Sequence, residues 1–134
     1  MNIQLATLDD KEAIAKLWRK ESAMLGALYM GALKERIERY SVHIAVENDT
    51  ILGFVEYRKR KDGMNVVYHI AVDSSQRQKG IGQALLNCLC LPIRLKVTSD
   101  NPNAIRFYER YGMLRVAEDS ASTGRALYVY ERTK

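Results

Sequence analysis

The residues best suited to chemistry stand around one glycine turn. The segment Arg77-Gln-Lys-Gly-Ile-Gly82 follows a predicted strand and opens a predicted helix. The first N–H groups of a helix lack partners and lie at the positive end of its dipole, so phosphate oxygens can bind them. Glycine lets the backbone approach such a ligand, and Arg77 and Lys79 add positive charge. The turn predicts an anion site, although Gly-x-Gly alone is equally typical of a structural turn.

Two other kinds of phosphate loop fit this segment poorly. The pattern Gly-x-x-x-x-Gly-Lys-Ser/Thr is absent from the chain. A dinucleotide-binding fingerprint would need a third glycine where Leu85 stands, and the loop from Val72 to Gly80 is long for that motif. Only Asp100, near the spacing of a ribose-binding acid, favours that alternative.

The elements that must position the turn can be predicted from hydrophobic periodicity and turn residues. After a short first strand and two helices, two turns, at Asn48-Asp49 and Asp62-Gly63, separate three strands of an antiparallel meander. Strands then alternate with helices, which indicates a mixed α/β sheet. Strands are predicted at 2–7, 42–46, 51–57, 65–72, 94–98, 114–118 and 126–131, and helices at 9–22, 25–40, from 81 to before Pro92, and 104–111.

Length and composition place the chain among soluble globular proteins. Its 134 residues predict a single domain, 1–134. It has no run of about 18 apolar residues and begins without a basic segment followed by an apolar one, so we expect a cytoplasmic protein. Cys88 and Cys90 lack the spacing of a zinc site and are interpreted as small buried hydrophobes.

The net charge of +5 is unevenly spread along the chain. Residues 51–100 hold eight basic and four acidic side chains, a net charge of +4. An anionic ligand or a nucleic acid would be attracted to such a region. The run Arg58-Lys-Arg-Lys61, taken alone, is more typical of a solvated basic face.

Two motifs of the chain resemble those of one family. The stretch Ile70-Ala-Val-Asp-Ser-Ser-Gln-Arg-Gln-Lys-Gly-Ile-Gly-Gln-Ala-Leu-Leu86 resembles the central motif of the GCN5-related N-acetyltransferases (GNAT). The stretch Asn101-Pro-Asn-Ala-Ile-Arg-Phe-Tyr-Glu-Arg-Tyr-Gly-Met113 is similar to the family's second signature. Their order and separation fit, as does the order of strands and helices. The resemblance implies an α/β fold with a mixed, mostly antiparallel sheet, splayed between strands 4 and 5 and flanked by about four helices.

The resemblance also implies a co-substrate, acetyl-CoA, lying in the opening between strands 4 and 5, and no metal. Backbone groups of the fourth strand would pair with the pantetheine arm, and amides of the glycine turn would hold the pyrophosphate. Asn101 matches a cofactor-contacting asparagine, although an Asn before Pro is equally typical of a turn. The implied cofactor-binding residues are Ile70, Ala71, Val72, Arg77, Gln78, Lys79, Gly80, Ile81, Gly82, Gln83, Asn101 and Tyr108.

Tyr108 matches the family tyrosine that donates a proton to the departing thiolate in many members. A phenol is neutral near pH 7 and can donate, which suits this role. The general base is harder to assign, because the family's glutamate positions fall on Val66 and Tyr68. Two other residues are candidates for the base. His69 is adjacent to Tyr68, but strand alternation aims it at the opposite face of the sheet. Glu56 lies late in the third strand and could reach the mouth of the opening between strands 4 and 5. A chain of water molecules ending on backbone carbonyls is an alternative.

The leading hypothesis is therefore an acetyl-CoA-dependent N-acetyltransferase that acts directly on a primary amine of a small molecule or a protein. One alternative is an acyl-CoA-binding module with little catalysis, favoured by the missing glutamate. Another is a nucleic-acid-directed enzyme acting on aminoacyl-tRNA, motivated by the positive charge; the leading hypothesis involves neither nucleic acid nor membrane. Family members often dimerise, so a homodimer is left open. The family's acceptor site is shaped by the loop between the first two helices, here residues 21–30, which contains a single acid.

Overall fold

The computed structural model describes residues 1–21 and 29–134. Seven strands and four helices are found in these residues. The strands are β1 (Asn2–Leu5), β2 (Val42–Glu47), β3 (Thr50–Lys59), β4 (Asn65–Val72), β5 (Ile93–Thr98), β6 (Leu114–Ser120) and β7 (Ala126–Arg132). The helices are α1 (Lys11–Glu21), α2 (Met30–Glu38), α3 (Ile81–Asn87) and α4 (Pro102–Arg110).

The strands form one sheet in the order β1-β2-β3-β4-β5-β7-β6. β1 and β2, β2 and β3, β5 and β7, and β6 and β7 pair antiparallel. β4 and β5 are parallel, and their register extends only over Asn65–Val67 opposite Ile93–Leu95. A short parallel pairing beside these antiparallel pairs is what a splay between the fourth and fifth strands requires. The predicted fold class is confirmed.

The chain forms two compact units. The first comprises Met1–Arg58 and His69–Leu89, and the second comprises Lys59–Tyr68 and Cys90–Lys134. The second unit holds eleven Lys and Arg against six Asp and Glu, which gives +5, whereas the first unit holds ten of each and is neutral. The entire net charge of the chain therefore belongs to the second unit. No helix in the described part of the chain is long and apolar enough to cross a membrane.

The core of the first unit forms where α1 and α2 pack on β2 and β3. α1 and α2 present apolar residues at helical spacing, and alternate residues of the two strands face them. Trp18 meets Phe54 edge to face, with ring centroids 6.1 Å apart. The buried cluster consists of Ala6, Ile14, Leu17, Trp18, Leu33, Ile37, Val42, Ile44, Phe54 and Ala71.

The second unit is built on β5, whose inward residues alternate along the strand. Ile93, Leu95 and Val97 are buried, as are Val129 and Tyr130 of β7. The Tyr130 hydroxyl donates to Glu109 Oε2 at 2.8 Å, which ties the last turn of α4 to β7. Gly112, with φ of 92°, follows the end of α4 in the left-handed conformation, as predicted.

Two local predictions differ from the structure, and part of a third lies outside the described residues. A 3₁₀ turn at Leu8–Asp10 precedes α1, and Asp10 accepts a hydrogen bond from the backbone N–H of Thr7 at 2.8 Å. α2 begins at Met30, and the predicted start of this helix near residue 25 lies outside the described residues. The interpretation of both cysteines as buried is wrong: Cys90 is exposed, and Cys88 is half-buried, with burial raising the pKa of its thiol to about 11.

Gly53 lies where β3, β4 and α3 approach most closely in the first unit. A Cβ at this position would stand 2.9 Å from the carbonyl oxygen of Ala71, and 3.2 to 3.3 Å from side-chain atoms of Leu85 and Ile81. A separation of 2.9 Å from a backbone atom forces something to shift. Only glycine therefore allows this close approach.

We expect Gly53→Ala to lower the free energy of unfolding by about 1–3 kcal/mol, since overpacking displaces a backbone and a helix. Gly31→Ala is the matched control, because no atom of the described residues outside the adjoining helix backbone lies within 4 Å of the added methyl group, and α2 should gain helix propensity. Urea unfolding of both variants checks this. Equal stability of Gly53→Ala and the wild-type protein would contradict it.

Candidate active site

The glycine turn has the backbone geometry of an anion cradle. Gly80 is the N-cap of α3 and adopts the left-handed conformation, with φ of 79°. A Cβ added at Gly80 would face open space, since no neighbouring atom of the described residues comes within 4 Å of it. Gln78 is also left-handed, with φ of 64°. The bonds of the helix begin with Ala84 N–H to the Gly80 carbonyl at 2.9 Å. The N–H groups of residues 81–83 therefore have no acceptor within the helix, as in any first turn.

The segment before the turn is held by its own polar side chains. Asp73 accepts hydrogen bonds from the hydroxyl of Ser75 at 2.7 Å and from its backbone N–H at 2.9 Å. These bonds, together with Lys20 Nζ at 3.1 Å, lower the pKa of Asp73 to about 2. The carboxylate thus stays ionised at neutral pH and fixes the 3₁₀ turn at Ser74–Gln76.

Glu21, the last residue of α1, also holds this segment. Its Oε2 accepts from the backbone N–H of Ser74 at 2.9 Å, and its Oε1 accepts from Arg77 NH2 at 3.2 Å. The Glu21 side chain is only 6% exposed. The sequence did not identify Glu21, because its partners lie 53 and 56 residues further along the chain.

The basic residues of the turn remain open to solvent. The side chain of Arg77 is exposed despite its ion pair, and Lys79 is exposed while its Nζ donates to Gln76 Oε1 at 3.1 Å. Two cations, a left-handed glycine and three helix N–H groups thus lie within a few residues. These groups fit a diphosphate, which offers several oxygens and negative charge.

The residues at the end of β4 lie directly before this segment. Ala71 is buried, and Ile70 and Val72 are half-buried. All three follow Val67, the last residue of β4 in the parallel register with β5. A strand that continues beyond such a short pairing is suited to offer backbone groups to an extended ligand.

In the second unit, α4 carries both Asn101 and Tyr108. The Asn101 side chain is the N-cap and accepts from Ala104 N–H at 3.3 Å, with Pro102 in the first turn. This supports the structural interpretation of Asn101 as a turn and cap residue. Tyr108 is 8% exposed, and burial raises the pKa of its phenol to about 12. The phenol consequently stays protonated at every pH where proteins are normally assayed.

The two predicted base candidates are in direct contact within the first unit. Glu56 is completely buried, at 0% exposed, rather than lying at the mouth of an opening. Its Oε1 lies 3.0 Å from His69 Nδ1 and 2.7 Å from Arg36 NH1. Tyr68 is exposed, whereas the adjacent His69 is only partly exposed, as strand alternation predicts for neighbouring residues. The sequence did not identify Arg36, which lies on α2.

Comparisons with known proteins agree with this geometry. Residues 38–112 match the family described as the acetyltransferase (GNAT) domain. Ard1 from Thermoplasma volcanium shares the fold at 22% identity and a TM-score of 0.86, over 98% of this chain and 95% of that one. The ribosomal-protein-S18-alanine N-acetyltransferase from Escherichia coli shares it at 20% identity and a TM-score of 0.81, over 97% of this chain and 91% of that one. Arabidopsis thaliana NAA60 in complex with acetyl-CoA shares it at 16% identity and a TM-score of 0.83, over 99% of each chain.

A comparison with curated proteins finds no match. The family match covers more than half of the chain and includes the glycine turn, the segment before it and Tyr108. The chain belongs to the GNAT family of acetyltransferases.

Proposed function

We propose that the protein transfers an acetyl group from acetyl-CoA to a primary amine of a small molecule or a protein. The observation that carries this proposal is the turn at Gly80, whose left-handed backbone presents the first amides of α3 beside two exposed cations. A coenzyme A pyrophosphate supplies the oxygens and the charge that such a turn can bind. The same turn lies within the residues that match the family.

The shared fold supports acetyl-CoA as the donor. Arabidopsis NAA60 was determined with acetyl-CoA, and Arabidopsis Naa50 with a bisubstrate analogue that joins CoA to the peptide MVNAL. The Escherichia coli enzyme acts on an alanine of ribosomal protein S18, whereas a structure that shares part of the fold is named a streptothricin acetyltransferase. A protein amine and a small-molecule amine therefore both remain acceptors to test.

The residues implied to hold acetyl-CoA fall into three groups. Backbone groups of Ile70, Ala71 and Val72 would pair with the pantetheine arm. The amides from Arg77 to Gln83 would hold the pyrophosphate. Asn101, whose side-chain oxygen caps α4, would act through its remaining polar atoms.

Tyr108 is the proposed proton donor. When bound, acetyl-CoA supplies a thioester whose carbonyl carbon accepts the amine nitrogen and whose sulfur leaves. The Tyr108 phenol gives its proton to that sulfur, so that the thiol and not the thiolate departs. Because burial raises the pKa of Tyr108, the phenol carries its proton even at about pH 10, where an ordinary tyrosine is half ionised.

We expect Gly80→Ala to weaken binding of coenzyme A by about tenfold or more, or about 1.4 kcal/mol. A side chain at φ of 79° strains the backbone and moves the amides away from the ligand. Gly63→Ala is the matched control: it has φ of 91° and open space, and it lies in a turn between β3 and β4. Calorimetry with coenzyme A should show weaker binding only for Gly80→Ala. A wild-type protein that does not bind coenzyme A would contradict the proposed function.

We expect Tyr108→Phe to lower kcat about ten- to a thousandfold, with the KM for acetyl-CoA little changed. The substitution keeps the buried ring and removes the proton donor. Tyr40→Phe is the control, because Tyr40 is exposed. Thiol release with a panel of amines and short peptides measures both variants. Undiminished turnover would exclude Tyr108 as the acid, and tight binding of coenzyme A without turnover on any amine would favour a binding module.

A second candidate function is acetylation of an aminoacyl-tRNA, favoured by the net charge of +5 that belongs to the second unit. A nucleic acid bound through several cations loses affinity steeply as salt increases. If tRNA is the acceptor, affinity measured between about 50 and 200 mM salt should fall by orders of magnitude. Weak binding that hardly changes with salt would exclude this candidate and leave the protein or small-molecule amine.

A further inference from the structure

We propose that His69 accepts the proton of the amine substrate and that the buried carboxylate of Glu56 positions His69 for this step. The inference rests on the proposed acetyl transfer and supplies the base that it lacks. Neither Val66 nor Tyr68, where the family resemblance would place a glutamate, carries a carboxylate. All the residues that carry the inference belong to the first unit.

Glu56 is a charge placed where an isolated charge would be very costly. It is 0% exposed, and its Oε1 accepts hydrogen bonds from Arg36 and His69. Its Oε2 is also buried and has no hydrogen-bond partner among the described residues. Burying a carboxylate with one oxygen unpaired costs free energy. A hydrophobic side chain would fill this position at lower cost, so the carboxylate points to a role beyond stability.

The contact with Glu56 determines which nitrogen of His69 carries the proton. An ionised carboxylate can only accept hydrogen bonds, so Nδ1 must donate across the 3.0 Å that separates it from Glu56 Oε1. In the neutral ring, Nε2 is then the nitrogen with the free electron pair. A proton that arrives on Nε2 creates an imidazolium whose charge faces the Glu56 carboxylate. The carboxylate therefore both orients the ring and stabilises its charged form.

Neighbouring elements fix the ring without sealing it. Trp18 of α1 packs edge to face on His69, with centroids 4.6 Å apart and planes at 75°. Arg36 reaches from α2 to the same oxygen of Glu56 that His69 contacts. The charged groups around the imidazole are thus Glu56 from β3 and, behind it, Arg36 from α2. The side chain of His69 keeps 19% exposure, so the ring is not sealed from solvent.

His69 lies next in the chain to the proposed site of the pantetheine arm. It directly precedes Ile70, the first of the three residues proposed to pair with the pantetheine arm. A substrate ammonium ion gives one proton to Nε2 and becomes the free amine, whose nitrogen forms the new bond to the acetyl carbon as the bond from carbon to sulfur breaks. The imidazolium then returns its proton to solvent. The sulfur takes its proton from Tyr108. The nitrogen loses a second proton as it becomes the amide, and this proton returns through solvent to the Tyr108 phenolate, so charge and protons balance.

The first test measures the tautomer directly. The chain has two histidines, His43 and His69, so two-bond ¹H–¹⁵N spectra contain two imidazole patterns, and His43→Gln assigns them. Above the pH at which the ring is protonated, we expect His69 in the Nδ1–H form in the wild-type protein. Glu56→Gln should remove this preference, because an amide can also donate. The Nε2–H form in the wild-type protein would overturn the proposal without any assay of activity.

The second test measures catalysis. We expect His69→Gln to lower kcat about 10²- to 10⁴-fold, with binding of acetyl-CoA unchanged by calorimetry. Glu56→Gln should lower kcat to a lesser extent, and His43→Gln should not lower it. Circular dichroism of each variant establishes that it is folded. Undiminished kcat in His69→Gln, in an assay where the wild-type protein turns over, would overturn the role of His69 alone. A wild-type protein without turnover on any amine would instead contradict the proposed acetyl transfer.

Discussion

The close approach at Gly53 determines where the glycine turn lies in the first unit. Without a side chain at this position, the Ala71 carbonyl of β4 and two residues of α3, Ile81 and Leu85, come within contact distance of β3. Ile81 is also the first residue of α3, so this packing places the start of the helix and the amides of its first turn. A packing constraint on one glycine thereby becomes a constraint on the proposed pyrophosphate site.

Fixing the start of the helix would not be sufficient if the preceding segment could move. Glu21 and Lys20 at the end of α1 hold that segment, the first through Ser74 and Arg77 and the second through Asp73. An exposed ion pair alone would contribute little. The Glu21 carboxylate is mostly buried and accepts from a backbone N–H as well, so it restrains the backbone and not only a flexible side chain.

The sequence predicted those features that depend on local pattern. The predicted strand 65–72 is the observed β4, because a β-branched run lies between a turn at Gly63 and the polar segment that begins with Asp73. Residues that depend on distant partners were not predictable in this way. Strand alternation states which face Glu56 occupies, but its partner Arg36 is 20 residues earlier and His69 is 13 residues later. The exposure of Cys90 was missed for a different reason: the helix predicted to continue to Pro92 ends at Asn87, which leaves Cys90 outside it.

Tyr108 and Glu56 show what burial requires of two different polar groups in the proposed proton transfers. Tyr108 lies in an environment that disfavours the phenolate, so burial alone keeps it a donor. Glu56 is buried more completely, and its Oε1 contacts both Arg36 of α2 and His69 of β4. A buried phenol therefore needs only an apolar surrounding, whereas a buried carboxylate needs a cation. The proposed acid could be named from one motif of the chain, while the contact that positions the proposed base, His69, requires α2, β3 and β4 to converge on the Glu56 carboxylate.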